Sequence, residues 1–425
     1  MKIGYLAQLS PEVRWPPYDG PANHVRHVIA KLIERGHEVS FLARIDGEIV
    51  HSTNLNHFPI VNSQKKTFGK KSITERSVRR MQRIFRLPFF NYFESNRFAR
   101  LCQNIMPDYD LLFERTSWMN YGGAMAAQQL KIPLVLEYNG DPLHDLKAKG
   151  VDPKGLQRKV SIALFKRTLA TASHIVASGK GWENNLVEHW GVQRSRVTTI
   201  ENGTPLLDLL ERTQLKSFQQ AVAEKPLQMV YLGGFYSWQG TSIAVQALQR
   251  IIERGLDVRL VMVGTGAQFE ETRTLAKDLG LLNYITFTGP LMPEEFGPIL
   301  ANSEIGLSPY CGWQEYSGLK LFDYKAAGLA IIASGANGQP DTLRHEHTGW
   351  IVPPCDLDSL VEAMLLLIRQ PEIRRTLGQN ARIDAERLHS WERTVLELET
   401  LFNRLLPAIR KTTEIQPPDA TRKSQ

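Results

Sequence analysis

The apolar positions of this chain form two alternating patterns. Short apolar runs bounded by polar residues or glycine predict buried strands, and the clearest of them read MKIGYLAQ, IPLVLEY, LQMVYLGG, VRLVMVG and LAIIAS. Between these runs, apolar residues recur every three or four positions, which predicts amphipathic helices. Strands that alternate with helices are typical of a parallel sheet covered by helices on both faces. The pattern therefore predicts an α/β protein.

The first helix can be placed from residue types alone. Gly20 lies at its start, Pro21 suits its first turn, and Gly36 is expected to end it. Its buried stripe is predicted to consist of Val25, Val28, Ile29, Leu32 and Ile33.

Length and composition favour two domains. A chain of 425 residues with 42% apolar content is too long for one ordinary core. We predict an N-terminal Rossmann-like domain over residues 1–205, a polar linker over 211–226 and a C-terminal Rossmann-like domain over 226–390. A helix over 391–406 is expected to pack back on the first domain. Residues 411–425 have almost nothing to bury and are predicted to be disordered.

The formal net charge of +7 is concentrated in one segment of the chain. Residues 64–100 contain eleven basic residues against two acids, Glu75 and Glu94, and apolar and aromatic residues are interleaved with the bases. Such a segment fits either a surface that meets anionic lipid head groups or a solvated helical face, and both interpretations stay open. No nucleic-acid-binding signature accompanies the charge, so we expect no nucleic-acid partner.

The cysteines and the apolar runs bear on the compartment. Cys102, Cys311 and Cys355 are odd in number and show no C-x-x-C spacing, which predicts neither a disulfide framework nor a zinc site. No signal-peptide order and no uncharged apolar run of bilayer length is found in the sequence. We therefore expect a cytoplasmic protein, with residues 64–100 as a candidate for peripheral contact with the inner membrane face.

Candidate chemistry is expected in the loops that follow strands, because ligands of doubly wound sheets bind at the carboxyl ends of the strands. The stretch EYSGLKLFDYKAAGLAIIAS, which begins at Glu315, carries a second acid, Asp323, eight positions later. Gly318 and Leu319 fall in the first turn of the helix predicted here, where backbone N–H groups and the helix dipole attract an anion such as a diphosphate.

Two side chains on that helix add to the predicted anion site. Lys320 can supply a positive charge for phosphate, and Asp323 can accept hydrogen bonds from two neighbouring hydroxyls, as on a ribose. The alternative is a surface ion pair between Lys320 and Asp323 beside an incidental Glu315.

The same stretch resembles the E-x7-E region of family-4 retaining glycosyltransferases with the GT-B fold, the glycosyl transferases group 1. Further pieces fall in the family's order along nearly the whole chain, namely RGHEV, IENG, VGTGAQFEE, ITFTGPL, SPY and HTGWIVPP. Each motif alone is common among unrelated proteins, whereas the ordered set is specific to the family. The resemblance implies two facing Rossmann-like doubly wound domains and transfer of a sugar from a nucleotide-diphosphate-sugar donor, with retention of configuration.

The resemblance also implies roles for individual residues. Glu315 would be the catalytic residue, in contact with the donor sugar near its reacting carbon, and Asp323 would hold the donor's ribose. Gly318 and Leu319 would contact the diphosphate through the backbone. Leu291 would touch the base through its main chain, and Gly20 in the first domain would close over the diphosphate.

The sequence departs from the family pattern at donor-binding positions. Gly234 and Gln239 stand where the family usually carries an arginine and a lysine that grip the diphosphate, and Lys320 is our candidate for one of the missing charges. Asn139 stands where a histidine often follows the fourth strand of the first domain. Asp323 is one methylene shorter than the usual glutamate.

We expect no metal and no cofactor besides the nucleotide-sugar co-substrate. Two D-x-D sequences, Asp108–Asp110 and Asp356–Asp358, match a metal signature of another transferase architecture, but the first opens a strand and the second opens a helix. Both are therefore interpreted as structural.

The expected acceptor is a glycan or a lipid-linked glycan in cell-surface polysaccharide or glycolipid biosynthesis. Two other hypotheses stay open. The chain could be a catalytically silent GT-B scaffold of a polysaccharide assembly complex, which the uncharged Gly234 and Gln239 would favour. It could also be a GT-B sugar-nucleotide epimerase, although the acid pair and the NG turn match transferases better.

Overall fold

A computed structural model describes residues 1–8, 20–45, 48–63, 70–85, 92–148, 151–210, 226–311, 318–335 and 342–414. The chain forms two compact units. The first contains residues 1–178 and 182–200 and the C-terminal segment from Val395, and the second contains residues 179–181 and 201–394. The predicted linker lies almost wholly outside the described residues, since residues 211–225 are not among them.

Within its described residues, the first unit holds an eight-stranded sheet of order β4-β3-β2-β1-β5-β6-β7-β8. Its strands are β1 (Lys2–Ala7), β2 (Glu38–Ile45), β3 (Glu48–Ser52), β4 (Ile60–Ser63), β5 (Leu111–Arg115), β6 (Leu134–Tyr138), β7 (His174–Ala177) and β8 (Val197–Thr199). Six of these strands, β2, β1, β5, β6, β7 and β8, pair in parallel with their neighbours among the six. Strand order reverses at β1, which has β2 on one side and β5 on the other.

The edge formed by β3 and β4 was not expected from the apolar pattern. Both strands pair antiparallel to their neighbours. Ile60 and Val61 are consecutive in β4 and both exposed, so they give no alternation of buried and exposed positions that a periodic pattern could reveal. The sheet is therefore mixed rather than wholly parallel.

The helices that accompany the first sheet are α1 (Gly20–Glu34), α2 (Lys70–Phe85), α3 (Tyr92–Ile105), α4 (Gly122–Leu130), α5 (Pro142–Ala148), α6 (Gly155–Thr171) and α7 (Lys180–Glu188). The placement of α1 is confirmed. It begins at Gly20, and Gly36 follows it with a φ of +83°, in the left-handed region that glycine favours. Of the predicted stripe, four residues are fully buried, namely Val25, Val28, Ile29 and Leu32.

Within its described residues, the second unit holds a six-stranded parallel sheet of order β11-β10-β9-β12-β13-β14. Its strands are β9 (Leu227–Leu232), β10 (Val258–Val263), β11 (Ile285–Gly289), β12 (Ile305–Ser308), β13 (Ala330–Ser334) and β14 (Trp350–Val352). Its helices are α8 (Leu206–Leu209), α9 (Thr241–Glu253), α10 (Phe269–Asp278), α11 (Pro293–Ala301), α12 (Leu319–Ala326), α13 (Leu357–Arg369) and α14 (Pro371–Leu388).

The last helix, α15 (Trp391–Glu414), is longer than the sequence pattern suggested. From Val395 onward it belongs to the first unit, where the Phe402 ring meets the Phe113 ring with 5.4 Å between centroids. Residues 411–414, which were predicted to be disordered, continue this helix. The remaining eleven residues of the chain lie outside the described part.

The prediction that no disulfide forms is wrong. Cys311 and Cys355 are bonded across a sequence separation of 44, with their Cα atoms 4.6 Å apart. Cys311 follows β12 and Cys355 follows β14, and the carboxyl ends of parallel strands meet at one edge of the sheet. Cys355 N also donates to Tyr310 O at 3.2 Å. Spacing along the chain could not reveal a pair that sheet topology brings together.

Reduction of this disulfide is expected to lower the free energy of unfolding of the second unit by about 2–4 kcal/mol, because the bond closes a long loop in the unfolded chain. Urea unfolding with and without dithiothreitol measures the difference. A Cys311→Ala/Cys355→Ala variant is the control and should not respond to the reductant. Three free thiols in the unreduced, unfolded protein would contradict the expectation.

Candidate functional site

The predicted diphosphate site lies at the carboxyl end of the second sheet. Helix α12 begins at Leu319, directly after its N-cap residue Gly318, and no side chain among the described residues caps this end. Gly328, with a φ of +71°, lies just beyond the last turn, in the left-handed region that glycine favours. The dipole of α12 and the N–H groups of its first turn therefore face the edge where ligands of such sheets bind.

Lys320 lies in this first turn, and its side chain is almost completely buried. Its Nζ donates to Gln239 Oε1 at 2.5 Å and lies 4.8 Å and 4.9 Å from the ring centroids of Tyr231 and Tyr310. Two aromatic faces and an amide oxygen stabilise a cation that has lost most of its water. The fold thus brings together Lys320 and Gln239, both of which the sequence singled out for donor binding.

The loop after β9 carries Gly234 and Gln239 to the same place. Tyr231 Oη donates to Gly234 O at 2.6 Å, and its distance to Gln239 Oε1 is 3.2 Å. A Cβ on Gly233 would lie 3.0 Å from Lys320 Nζ. A lysine from α12 therefore places its charge against the loop in which the family's usual arginine and lysine are missing.

A close backbone approach holds this loop in position. Gly240 has a φ of +67°, and a Cβ there would lie 1.5 Å from Pro309 O. Nearby, Cys311 N donates to Trp238 O at 2.8 Å. The segment that carries Tyr310 is thus held between this hydrogen bond and the disulfide at Cys311.

Asp323 lies one turn further along α12 and is half-buried. Thr204 Oγ1 donates to its Oδ1 at 2.6 Å. Burial raises the pKa of Asp323 to about 7, although the hydrogen bond from Thr204 acts to lower it. The suggested ion pair between Lys320 and Asp323 does not form, because Lys320 binds Gln239 and Asp323 binds Thr204.

A buried ionic cluster lies behind this face of α12. Lys325 is 1% exposed, and its Nζ donates to Asp384 Oδ2 at 2.6 Å and lies 3.2 Å from His389 Nε2. The His389 ring stacks on Phe322 with 4.3 Å between centroids. Burial and the neighbouring Lys325 charge lower the pKa of His389 to about 3. Sequence patterns missed this cluster, and a lysine inside the otherwise apolar face of a helix was the available signal.

The other residues predicted for the donor site have different outcomes. Leu291 follows β11 and packs, partly buried, against an apolar cluster that includes Val230 and Val263. Gly20 begins α1 in the first unit. Glu315, the predicted catalytic residue, lies outside the described residues.

In the first unit, Asn139 follows β6 and binds a buried acid. Its Nδ2 donates to Glu137 Oε1 at 2.5 Å, His24 of α1 pairs with the same oxygen, and Tyr5 Oη donates to Oε2 at 2.6 Å. Burial raises the pKa of Glu137, but the His24 and Arg115 charges and the hydrogen bonds of His24 and Tyr5 lower it to about 2. A glutamate inside the apolar run LVLEY was the signal that sequence reasoning overlooked.

A second buried acid lies where the strand order of the first sheet reverses. Gln8 Nε2 donates to Glu114 Oε1, and Gly122 N donates to Gln8 Oε1 at 3.0 Å. Burial raises the pKa of Glu114 to about 7. Doubly wound sheets bind ligands at such a reversal, so these groups mark the candidate ligand surface of the first unit.

In each D-x-D sequence, one acid accepts a hydrogen bond from the backbone. Asp356 is the N-cap of α13, and its side chain accepts a hydrogen bond from Ser359 N at 2.9 Å. Asp110 accepts from Lys2 N at 2.8 Å. Across the described ranges, no three histidine, cysteine, aspartate or glutamate side chains are grouped so that they could hold a metal ion.

Two known protein families match most of the chain. The family described as Glycosyltransferase Family 4 matches residues 18–206, and the family described as Glycosyl transferases group 1 matches residues 213–384. The N-acetyl-alpha-D-glucosaminyl L-malate synthase of Bacillus anthracis is 25% identical over 378 residues, which cover 88% of this chain and 90% of that protein.

Solved structures share the fold over nearly the full chain. Sucrose-phosphate synthase from Thermosynechococcus elongatus has a TM-score of 0.72 at 19% identity and covers 96% of this chain and 100% of its own. The HepE protein of Anabaena, solved with UDP-glucose, has a TM-score of 0.63 at 17% identity and covers 98% and 100%. These likenesses show the GT-B fold. The two family matches, over residues 18–206 and 213–384, show that the chain belongs to glycosyltransferase family 4, the glycosyl transferases group 1.

Proposed function

We propose that the protein moves a sugar, with retention of configuration, from a nucleotide-diphosphate-sugar to a glycan or lipid-linked acceptor in cell-surface polysaccharide or glycolipid biosynthesis. The observation that carries the proposal is the start of α12. The buried Lys320 and the carboxylate of Asp323 lie one turn apart there, beside a helix N-terminus that no described side chain caps. These groups suit a diphosphate and a ribose, respectively. The related HepE structures, which contain UDP or UDP-glucose, support a donor of this class.

The proposed chemistry needs no metal and no protein nucleophile. The acceptor hydroxyl attacks the anomeric carbon from the face that the diphosphate leaves, the carbon–phosphate-oxygen bond breaks, and a departing phosphate oxygen takes the hydroxyl proton. The products are the glycoside and the nucleoside diphosphate. The protein's part is to position the reactants and to stabilise the negative charge that develops on the diphosphate.

Titration calorimetry with UDP-, GDP- and ADP-sugars tests the proposal, followed by product analysis with the donor that binds. Binding of at least one nucleotide-sugar, and release of its nucleoside diphosphate when acceptor is added, is the expected result. Conversion of the donor into its epimer without an acceptor would favour the epimerase. An absence of binding to every donor would overturn the proposal and favour a scaffold. The uncharged Gly234 and Gln239 are weaker support for a scaffold than the sequence suggested, because Lys320 places a positive charge beside Gln239.

Lys320→Ala is expected to weaken donor binding by about 1.5–3 kcal/mol, roughly tenfold to a hundredfold, because the diphosphate loses a charge-assisted hydrogen bond. Calorimetry with the identified donor measures the change. Lys277→Ala, at an exposed lysine in α10, is the matched control and should bind as the wild type does. Unchanged affinity in Lys320→Ala would mean that this lysine does not replace the missing charges.

Glu315→Gln is expected to lower turnover far more than donor affinity, because the proposed work of Glu315 is done near the charge that develops in the transition state. Steady-state kinetics together with calorimetry separate the two quantities. Equal losses in both would indicate a plain binding residue.

We propose further that α2 docks on an anionic membrane. Both acids of residues 64–100 are used internally: Glu75 accepts from Arg79 and Arg97 at 2.8 Å, and Glu94 pairs with the same two arginines. Among the α2 side chains that the structure describes, the exposed ones include three apolar and two basic residues, namely Ile73, Met81, Ile84, Arg76 and Arg80. Pairing of the acids thus leaves an apolar and basic face, which complements acidic lipid head groups.

Co-sedimentation with vesicles containing phosphatidylglycerol tests this surface. Binding should fall with salt and should be lost in Met81→Ser/Ile84→Ser. Ile383→Ser, which alters a comparably exposed isoleucine in α14 of the second unit, is the control and should bind like the wild type. Salt-insensitive partitioning that neither variant changes would exclude α2 as the anchor. Over the described residues, no helix combines the length and the apolar character that spanning a bilayer requires.

A further inference from the structure

The hydrogen bonds around Thr204 hold Asp323 in one orientation. Thr204 is 2% exposed. Leu206 N donates to its Oγ1 at 3.0 Å, and Oγ1 donates to Asp323 Oδ1 at 2.6 Å. The backbone N of Thr204 donates to His389 O at 2.9 Å. The threonine is therefore anchored on three sides, and its hydroxyl connects the backbone at Leu206 to the carboxylate.

The direction of the hydroxyl proton follows from this arrangement. A threonine hydroxyl has one proton to donate and accepts through its lone pairs. An ionised Asp323 can only accept, so the hydroxyl proton points to its Oδ1, while Oγ1 accepts from the Leu206 N–H. Among the described residues, no group forms a hydrogen bond with Oδ2. Oδ2 is thus the oxygen of Asp323 that is left for a ligand.

We infer that Thr204 is a positioning residue of the donor site, which turns the short Asp323 side chain so that Oδ2 receives both hydroxyls of a ribose. The inference rests on the proposed function and deepens it. A carboxylate one methylene shorter than the family's usual glutamate has less reach, and the tether from Thr204 fixes where its outer oxygen points. Because both hydroxyls converge on one oxygen, the site selects ribonucleotides over 2′-deoxyribonucleotides.

The charged groups near Asp323 are already bonded to other partners. On α12 itself, Lys320 binds Gln239 and Lys325 binds Asp384. From the packed elements, Asp384 belongs to the cluster behind the helix, as does His389, whose Nδ1 lies 3.5 Å from Glu201 Oε2. The Thr204 hydroxyl is therefore the hydrogen-bond donor whose removal acts on Asp323 directly, and its loss raises the pKa of a carboxyl that burial has already raised to about 7.

Thr204→Val keeps the shape of the side chain and removes the hydroxyl, whereas Thr204→Ser keeps the hydroxyl. We expect donor affinity to fall about tenfold in Thr204→Val, with little change in kcat, and to stay at the wild-type value in Thr204→Ser. The acidic limb of the kcat/KM profile should move to higher pH in Thr204→Val and not in Thr204→Ser. Wild-type affinity and an unmoved profile in Thr204→Val would overturn the inference, as would a serine variant that behaves like valine.

A double-mutant cycle separates positioning from a general structural effect, because Thr204→Val also leaves Leu206 N without its acceptor. If Thr204 acts through Asp323, Thr204→Val should weaken donor binding no further in an Asp323→Ala background. An equal loss in both backgrounds would show a structural effect that does not act through Asp323, and the inference would fail.

The ligands used in calorimetry distinguish failure of this inference from failure of the proposed function. UDP, GDP and their 2′-deoxy counterparts are titrated into the wild-type protein, alongside the panel of nucleotide-sugars. Equal binding of ribo and deoxy forms would overturn the inference and leave the proposed function intact. Failure to bind any nucleotide or nucleotide-sugar would overturn both.

Discussion

Asp323→Ala is expected to weaken donor binding by about 3–6 kcal/mol, a hundredfold or more, because two ribose hydroxyls each lose a hydrogen bond to a charged oxygen of about 1.5–3 kcal/mol. The carboxylate is half-buried and one of its oxygens is held by Thr204, so the ligand meets a fixed acceptor rather than a mobile one. Calorimetry with the donor that binds the wild type measures the loss. Asp278→Ala, at an exposed acid at the end of α10, is the matched control.

The same carboxyl gives donor binding a pH dependence. The pKa of Asp323 in the free protein is about 7, so the accepting, ionised form becomes the major form above that pH. Donor affinity should therefore rise as pH increases through 7 and then level off. Hydrogen bonds from the ribose favour the ionised form, so the pKa should be lower in the complex. Affinity that stays flat between pH 6 and 8, or normal donor binding by Asp323→Ala, would refute the ribose role.

Stability and binding are expected to respond to Asp323 in opposite directions. The folded-state pKa lies above the ordinary value of 3.8, so ionisation of this group opposes folding. Its contribution is neutral below about pH 4, and it becomes increasingly destabilising as pH rises towards 7. Asp323→Asn should therefore lose donor affinity without losing stability at pH 8. Urea unfolding of this variant separates a damaged binding site from a damaged fold.

Lys325→Met is expected to lower the free energy of unfolding by about 3–5 kcal/mol, because it leaves Asp384 buried without its closest charge partner. Asp384 is 7% exposed, and Lys325 Nζ donates to it at 2.6 Å. Arg344 lies 3.3 Å from Asp384 Oδ1 but is more than half exposed, so it replaces only part of the lost interaction. Urea unfolding measures the change, with Lys277→Met as the exposed control.

A second substitution tests whether the loss comes from the uncompensated acid. Lys325→Met/Asp384→Leu removes both charges and should recover most of the stability, since well-packed apolar residues often replace a buried ion pair without net cost. The pKa of Asp384 is lowered from 3.8: burial acts to raise it, and the hydrogen bond and charge of Lys325 lower it. Its contribution to stability is therefore present above pH 4 and lost as pH falls through the lowered value. A Lys325→Met variant whose free energy of unfolding at neutral pH equals that of the wild type would contradict this account.

The cluster around Lys325 lies behind the proposed donor site. Phe322 stacks on His389, and the backbone oxygen of His389 accepts from Thr204 N, whose hydroxyl holds Asp323. A loss of packing at the cluster is therefore expected to loosen the carboxylate as well. Stability and donor binding share this part of α12, so substitutions at the exposed Lys277 and Asp278 serve as controls for the lysine and aspartate variants.

Much of the fold could be predicted because the burial of one helix or strand face imposes a regular spacing of apolar residues on the sequence. The stripe of α1 followed from side-chain size, and its end at Gly36 followed from the backbone angles that glycine tolerates. Strand β4 showed no such spacing, because Ile60 and Val61 are both exposed, and in β3 the buried Ile49 and Val50 are adjacent rather than alternating. The end of α15 was placed too early because its last turns contain few apolar residues.

The residues of the candidate site also differ in whether local sequence spacing could reveal them. Gly318, Leu319, Lys320 and Asp323 were identifiable because they share one short segment, in which helical spacing fixes their order. Thr204 lies 119 positions from its partner Asp323, and no local pattern connects them. The bond between Cys311 and Cys355 and the pairing of His24 with Glu137 are likewise contacts across sheet topology.

By itself, the sequence determined the α/β class, the order of most strands and helices, and the segment that holds the proposed donor-binding residues. These depend on interactions between residues a few positions apart, which composition and spacing record directly. Only the tertiary structure decided which groups bind Lys320 and Asp323. It also decided that a disulfide joins the loop after β12 to the loop after β14, and that the two acids of residues 64–100 pair with arginines of the same segment. Those outcomes depend on parallel strands bringing distant loops to one edge, and spacing along a chain carries no measure of that distance.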